Sequence, residues 1–330
     1  MHTLDRRALV RTGLFAAVGI GAAPLLAACG GDAGQAKVQD SEKGTASAVL
    51  RPISERFGLV GDLRLDYIAG SGPGDVQNKL LSGALNVSSF GPLGAAVSAG
   101  AGADVVLFSP GLNNHVYWLV AENSPYTHPS DLRGKSIATP PKNSDAYRSA
   151  QLAAAVNGVD FDAEYEVHQG AVVNGLALFE RGDVEAILTI EPNATRLIGE
   201  GARQLAAVRD LWREGTGDET PLVLNGQGAL RSWITEEADL ASALDALRRG
   251  VHQRIHDDPG LLAEFHDAYG ISADQRRAIS LLPERLVDVY PLEWDGAVFD
   301  NLRLQIETAV EHGIVDEAPD RDVHVDLEAR

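Results

Sequence analysis

Of the 330 residues one is cysteine, Cys29, and a single thiol excludes an intramolecular disulfide framework, a cysteine-based zinc finger and an iron–sulfur centre. Positive charge is also scarce: 28 Lys and Arg against 47 Asp and Glu leave a formal charge of −19. A field of that sign repels a phosphate backbone, so nucleic acid is not expected among the partners. No segment carries the G-x-x-x-x-G-K-[ST] phosphate loop, no serine sits in G-x-S-x-G, and Gly70-Ser71-Gly72-Pro73-Gly74 falls short of a dinucleotide fingerprint. His252 and His256 stand one helical turn apart, with Asp257 and His266 following. Gln253-Arg254-Ile255 between them lack a metalloprotease glutamate, so the pattern reads as a solvated helix face and neither metal nor cofactor is expected. No repeat of solenoid period is present. What remains is 45% apolar and 23% charged, with 34 Gly and 15 Pro: an ordinary globular composition that suits loop-rich α/β architecture.

The N-terminus accounts for the lone thiol. Asp5-Arg6-Arg7 with Arg11 forms a charged opening, followed by a Gly- and Ala-rich apolar stretch over 12–28 that is too short and too small in its side chains to span a bilayer comfortably. It ends in Leu26-Ala27-Ala28-Cys29, which resembles the lipobox of bacterial lipoproteins, where the thiol is diacylated and the chain is cut just before it. Two acyl chains give stable anchoring where one is marginal. The Arg6-Arg7 pair fits a twin-arginine signal or an ordinary secretion signal. Residues 1–28 are therefore expected to be an export signal and 29–46 a lipidated cysteine with a flexible tether, part of which, near 37–39, suits an edge strand. Removing 1–28 takes away three Arg and one Asp and moves the formal charge to −21 on a body of 302 residues. That body is expected on the extracytoplasmic face of the cell membrane.

Along the body, strand and helix patterns alternate. Strands are expected over 63–68, 86–90, 105–108 and 116–121, with helices over 74–84 and 92–99. The alternation restarts after Asp131-Leu132-Arg133-Gly134-Lys135, with strands at 135–138, 164–168, 184–190 and 222–225 and helices at 144–156, 173–181 and 193–199. From 235 onward the spacing of Leu240, Leu244, Leu247, Val251 and Ile255 is helical. Such βαβα order implies mostly parallel sheets covered by helices.

The order of these segments resembles a known family. Gly83-Ala84-Leu85-Asn86-Val87, Glu122-Asn123-Ser124-Pro125, Asp131-Leu132-Arg133-Gly134-Lys135-Ser136-Ile137-Ala138, then Ala177-Leu178-Phe179-Glu180-Arg181-Gly182-Asp183-Val184-Glu185-Ala186-Ile187 and Glu191-Pro192 are similar to the solute-binding proteins of nitrate, sulfonate and taurine transporters. The resemblance covers about 48–325 and departs from the family pattern in a poorly marked first strand. It implies an α/β fold of the type II periplasmic-binding class: two lobes joined by crossing strands, lobe I from 47–115 and 222–330, lobe II from 116–221, with a ligand cleft between them. The implied activity is capture of a small solute by a monomer and delivery to an ABC permease and its ATPase, with no catalysis. An alternative ligand is a thiamine-precursor pyrimidine or another nitrogen heterocycle. The thiamine-pyrimidine synthases resemble the same fold, but they carry a cysteine-rich motif that this sequence lacks. A ligand sensor serving a partner receptor is the remaining alternative.

In open parallel sheets a ligand sits beyond the carboxyl ends of the strands, against helix N-termini. Three segments have that position: Ser71 and Gly72 before the first helix, Ser89 and Phe90 before the second, and Asn143 and Ser144 before the helix at 144–156. Each is equally a turn or a helix cap. Asn114, just before the crossing strand, and Asn174, entering the helix after His168, are further candidates, and His115 reads as a structural histidine. Phe90, Tyr117, Trp118 and Tyr147 are candidate aromatic walls or core. Glu191 follows an apolar strand, so its carboxylate either faces the cleft to meet an amine, amidine or aminopyrimidine, or caps a helix or bridges the lobes.

Overall fold

The structure, a computed structural model, describes residues 35–328. Cys29 and the export signal, with the lipidation expected there, lie outside the described residues. In chain order the elements are β1 (Gln35–Gln39), α1 (Leu50–Arg56), β2 (Arg64–Ile68), α2 (Pro73–Leu81), β3 (Ser88–Phe90), α3 (Pro92–Gly100), β4 (Val105–Asn113), β5 (Val116–Val120), β6 (Ser136–Thr139), α4 (Asp145–Val156), α5 (Phe161–Glu164), β7 (Glu166–Gln169), α6 (Val172–Arg181), β8 (Ala186–Ile190) and α7 (Asn193–Gly199). They continue with β9 (Arg203–Ala207), α8 (Val208–Thr216), β10 (Val223–Leu230), α9 (Arg231–Glu236), α10 (Ala238–Asp257), α11 (Gly260–Glu264), α12 (Arg276–Leu286) and α13 (Gly296–Glu311).

Two sheet systems result. In the first, β1 and β2 pair in parallel and β3-β10-β4 form an antiparallel trio; a bridge between Val38 and Val87 joins the two, so β1 lies between β2 and the segment entering β3. The second is a five-stranded sheet in the order β7-β6-β8-β5-β9, with β6 parallel to both β7 and β8. The chain crosses from the first to the second after β4 and returns into β10. At the crossing, the Asn114 N–H donates to the Leu222 carbonyl at 2.7 Å and ties the outgoing segment to the returning one. This is the α/β periplasmic-binding fold expected from the sequence.

Some expectations need correction. Within the tether expected over 29–46, residues 35–39 form β1, whose strand is paired on both sides instead of lying at an edge. β4 runs on past Phe108 to Asn113, since the register shifts against β10 around Asn225 and Gly226 accommodate Pro110 and Gly111. Gly111 is required there: a Cβ would stand 2.4 Å from the Asn225 carbonyl oxygen. Residues 203–216, unassigned by hydrophobic periodicity, form the edge strand β9 and α8. The helix face at His252 is not solvated. His252 is fully buried on α10 beside Val251 and Ile255, its Nδ1 lies 2.6 Å from the Pro291 carbonyl, and burial lowers its pKa to about 3. His256 and His266 bond the carbonyls of Tyr290 and Ile271, and among the described residues no cluster of three metal-ligating side chains exists.

The aromatic candidates are core. Trp118, Phe161 and Tyr165 meet in tilted and edge-on contacts at centroid separations of 5.3–5.8 Å, with Tyr147 edge-on to Phe161. Phe90 is likewise sealed under β10, where the missing side chain of Gly228 makes room for it.

Candidate functional site

Where the carboxyl ends of β1, β2 and β3 meet the crossing segments and the start of α4, the chain lines an open cavity of about 220 Å³. β10 runs antiparallel, so its first residues, Leu224 and Asn225, reach the same place, and Ile190 arrives from the end of β8 in the second sheet. A larger hollow of about 680 Å³ lies elsewhere, between the α4–α5 region and the turn after α13. The smaller cavity is the candidate site, because it alone of the two stands at the strand ends where both sheets converge.

Its floor is the loop after β1. Asp40, Ser41, Glu42, Thr45 and Ser47 line it, a run whose small polar residues read in sequence as spacer. Gln39 anchors that loop by accepting the Ser89 N–H at 2.9 Å, which also places Ser89 in the wall. From the second sheet comes Asp145, the first residue of α4; burial raises its carboxyl pKa to about 6 against a nearby Arg148 that pulls the other way. His115 completes the wall at the crossing, its Nδ1 2.8 Å from the Asn113 carbonyl, and burial holds it near pKa 4, hence neutral at physiological pH. The lining thus holds three carboxylates, Asp40, Glu42 and Asp145, with no Lys or Arg and no Phe, Tyr or Trp. Such a site accepts hydrogen bonds and positive charge; hydroxyls and backbone N–H groups are its means of meeting an anionic end.

A family model for "ABC transporter, phosphonate, periplasmic substrate-binding protein" matches residues 43–264, about two thirds of the chain. The chain belongs to that family. No curated protein matches the sequence. Among solved structures, the periplasmic aliphatic sulphonate binding protein SsuA from Escherichia coli is 17% identical, with a TM-score of 0.65 over 90% of this chain and 96% of the other. The alkanesulfonate-binding protein SsuA from Xanthomonas axonopodis pv. citri, bound to MOPS, is 17% identical with a TM-score of 0.69 over 88% and 98%. A ligand-binding component of an ABC-type import system from Staphylococcus aureus, with zinc bound, is 13% identical with a TM-score of 0.66 over 90% and 98%. These likenesses establish the fold. As a member of its family, this substrate-binding protein is extracytoplasmic, serves an ABC transporter by binding a small solute, and is not an enzyme. Among the described residues no helix is long and apolar enough to cross a membrane.

The binding protein's structure redistributes the residues singled out in its sequence. Gly72 and Ser89 line the cavity. Asn143 stands across from α2, its Nδ2 3.0 Å from the position a Cβ on Gly74 would take, and is not in the cavity lining. Ser71 is exposed and outside the lining; its N–H is taken by the Asp75 carboxylate at 2.9 Å, which fills the helix end expected to hold a ligand. Ser144 is a cap: its hydroxyl accepts the Tyr147 N–H and donates to the Pro141 carbonyl at 2.6 Å. Asn114 is buried, donating to Ser149 and accepting from the Val116 N–H, and so shapes the crossing. Asn174 is exposed on α6. Phe90 is 1% exposed and belongs to the core, not to a cleft wall.

Glu191 is not a cleft-facing carboxylate. It is fully buried; one oxygen meets Arg285 of α12 at 2.7 Å and the other accepts both the N–H and the hydroxyl of Thr195 in α7. The capping and bridging roles open to it in sequence are both filled. The residues that do face the cavity, Asp40, Glu42 and Asp145, were missed for separable reasons. The first two lie in a segment with no hydrophobic run to mark it as folded, and Asp145 reads as an ordinary first-turn acid beside the Ser144 cap.

Proposed function

We propose that this protein is the lipid-anchored receptor of an ABC importer for a small zwitterionic oxyanion, an aminoalkyl sulfonate or phosphonate, with taurine as one example. The observation that carries this reading is the charge of the cavity: Asp40, Glu42 and Asp145 with no lysine or arginine in the lining. A bare nitrate or alkanesulfonate would enter that site with nothing to balance it, whereas a ligand ammonium pairs with a carboxylate as its oxyanion end takes hydrogen bonds from Ser41, Thr45, Ser47 or Ser89. The family description, phosphonate, supplies the oxyanion class. An aminopyrimidine of the thiamine-precursor kind also offers donors to carboxylates, but the lining has no Phe, Tyr or Trp ring on which it would stack.

Lobe I in this reading is 47–115 and 222–330 with β1 added, and lobe II is 116–221. Solute held between Asp40 and Ser89 on one side and Asp145 on the other favours the closed arrangement, by as much as its affinity for closed exceeds that for open. The closed form is what the permease with its ATPase recognises, and Cys29, acylated, keeps the monomer at the membrane's outer face. Titration calorimetry tests the ligand class with matched pairs: taurine against ethanesulfonate, and aminoethylphosphonate against ethylphosphonate, with nitrate alongside. The amine-bearing member of each pair is expected to bind at least about tenfold tighter, and Asp145→Asn to erase most of that margin. Equal or reversed affinities within the pairs would sink the zwitterion reading.

A further inference from the structure

Next to the solute cavity, on the face of the first sheet covered by α1 and α10, the chain lines a second, half-open cavity of about 80 Å³. Arg248 of α10 enters its wall, facing Tyr67 from the end of β2, Arg51 and Ser54 from α1, and Gln39 and Asp40 from the end of β1. Arg248 forms no hydrogen bond and no ion pair among the described residues. The other charges around it are committed: Arg51 to Glu55 at 2.8 Å and more loosely to Asp40 at 3.6 Å, and Arg249 to Asp245 at 2.9 Å. Burial lowers the Arg248 pKa to about 10, still high enough to keep the guanidinium charged at neutral pH. A guanidinium partly withdrawn from water and in no ion pair is an arrangement that folded chains ordinarily resolve with a partner.

The surroundings are suited to supply the rest of a coordination shell. The Tyr67 hydroxyl has no hydrogen-bond partner among the described residues, and its ring is pinned under the Arg51 guanidinium at 4.1 Å. Gln39 uses its carbonyl oxygen on Ser89, which leaves its amide N–H₂ as donor. We propose that this cavity is a binding site for one small monovalent inorganic anion of chloride size, held by Arg248. The size follows from the volume: a water's share of the liquid is about 30 Å³, so the cavity takes an ion with a water or two and excludes an organic phosphonate or sulfonate. The charge follows from one unmatched cation and from the Asp40 carboxylate in the wall, which disfavours a dianion. The site is separate from solute capture, although Gln39, Asp40 and Ser41 belong to both walls.

The probe is halide itself. At equal ionic strength, exchanging sodium gluconate for sodium chloride is expected to raise the melting midpoint of the full chain by a few degrees, and Arg248→Met, which keeps the packing of the stem, to abolish the increment. Crystals of the unaltered protein grown with sodium bromide are expected to show an anomalous peak within hydrogen-bond distance of the Arg248 guanidinium, a result independent of whether the variant folds. Absence of that peak, or a variant that keeps the full chloride increment, overturns the proposal.

Discussion

Asp145 begins α4 with its carboxyl held at about 6 against an ordinary 3.8, chiefly because the cavity wall takes it out of water. A raised carboxyl pKa has a definite consequence for stability. Below about pH 4 the group is protonated in both folded and unfolded chains and contributes nothing; between about 4 and 6 the unfolded chain ionises first, and above about 6 the fold carries the full cost of a buried charge. Asp145→Asn is therefore expected to raise the melting midpoint of the solute-free protein at pH 7.5, with the gain shrinking to nothing at about pH 4. Melting curves at the two pH values check this, and an equal gain at both would remove burial of charge as its cause. Neighbouring His115 shows the complementary case: near pKa 4, it is neutral at pH 7.5 and takes up a proton only as the pH falls to about 4. At this scale sequence showed which segments approach the cleft but not which side chain in each faces it. Ser144 and Asp145 are adjacent, yet the cap turns inward to its own helix and its neighbour turns to the cavity.

Between elements, the junction of α12 with α7 is closely specified. Gly199 on α7 lies so close to α12 that a Cβ would stand 2.8 Å from that of Ala278, and Gln275 at the head of α12 donates to Glu200 at the end of α7. Into this contact Arg285 inserts, bonded to Glu191, Thr195 and Gln204 and lying 4.7 Å over the Tyr117 ring. Burial pushes the Glu191 pKa up, with Arg285 and Thr195 working against that rise. Arg285→Met leaves a carboxylate buried without its cation and is expected to cost about 3–5 kcal/mol in urea unfolding, most of it recovered when Glu191→Gln is added. If the double substitution is no more stable than the single one, the loss belongs to packing on Tyr117 instead. The helical spacing of α10 and the apolar strand β8 were legible in sequence. That α12, remote in the chain, would return to pair with Glu191 was not, because the 94-residue separation leaves no local pattern to read.

For the whole molecule, the shortage of positive charge bears on attachment. If the chain is cut before Cys29 and acylated there, as proposed, the remaining body carries a formal charge of −21, is repelled by an anionic membrane surface, and must depend on the acyl chains for retention. Cys29→Ser is accordingly expected to move the protein completely from the membrane fraction to the soluble extracytoplasmic fraction, with no residual salt-releasable pool. Fractionation followed by immunoblotting checks this, and a variant that stays with the membrane would falsify the anchor.

By itself, the sequence established the class of molecule: composition, βαβα alternation and the segment order around Asp131-Leu132-Arg133-Gly134-Lys135 are local signals, set by backbone propensity and the period of apolar residues. It also confined chemistry by absence, since a lone cysteine and missing phosphate-loop and nucleophile motifs are matters of inventory. Tertiary structure decided the rest. It turned the small polar residues after β1 from spacer into cavity floor, sent Glu191 to Arg285 and left Asp145 facing the cavity. Whether a carboxylate binds a ligand, caps a helix or neutralises a distant arginine depends on which groups the fold brings within about 3 Å of it, and hydrogen-bonding partners remote in the chain leave no mark on the local pattern.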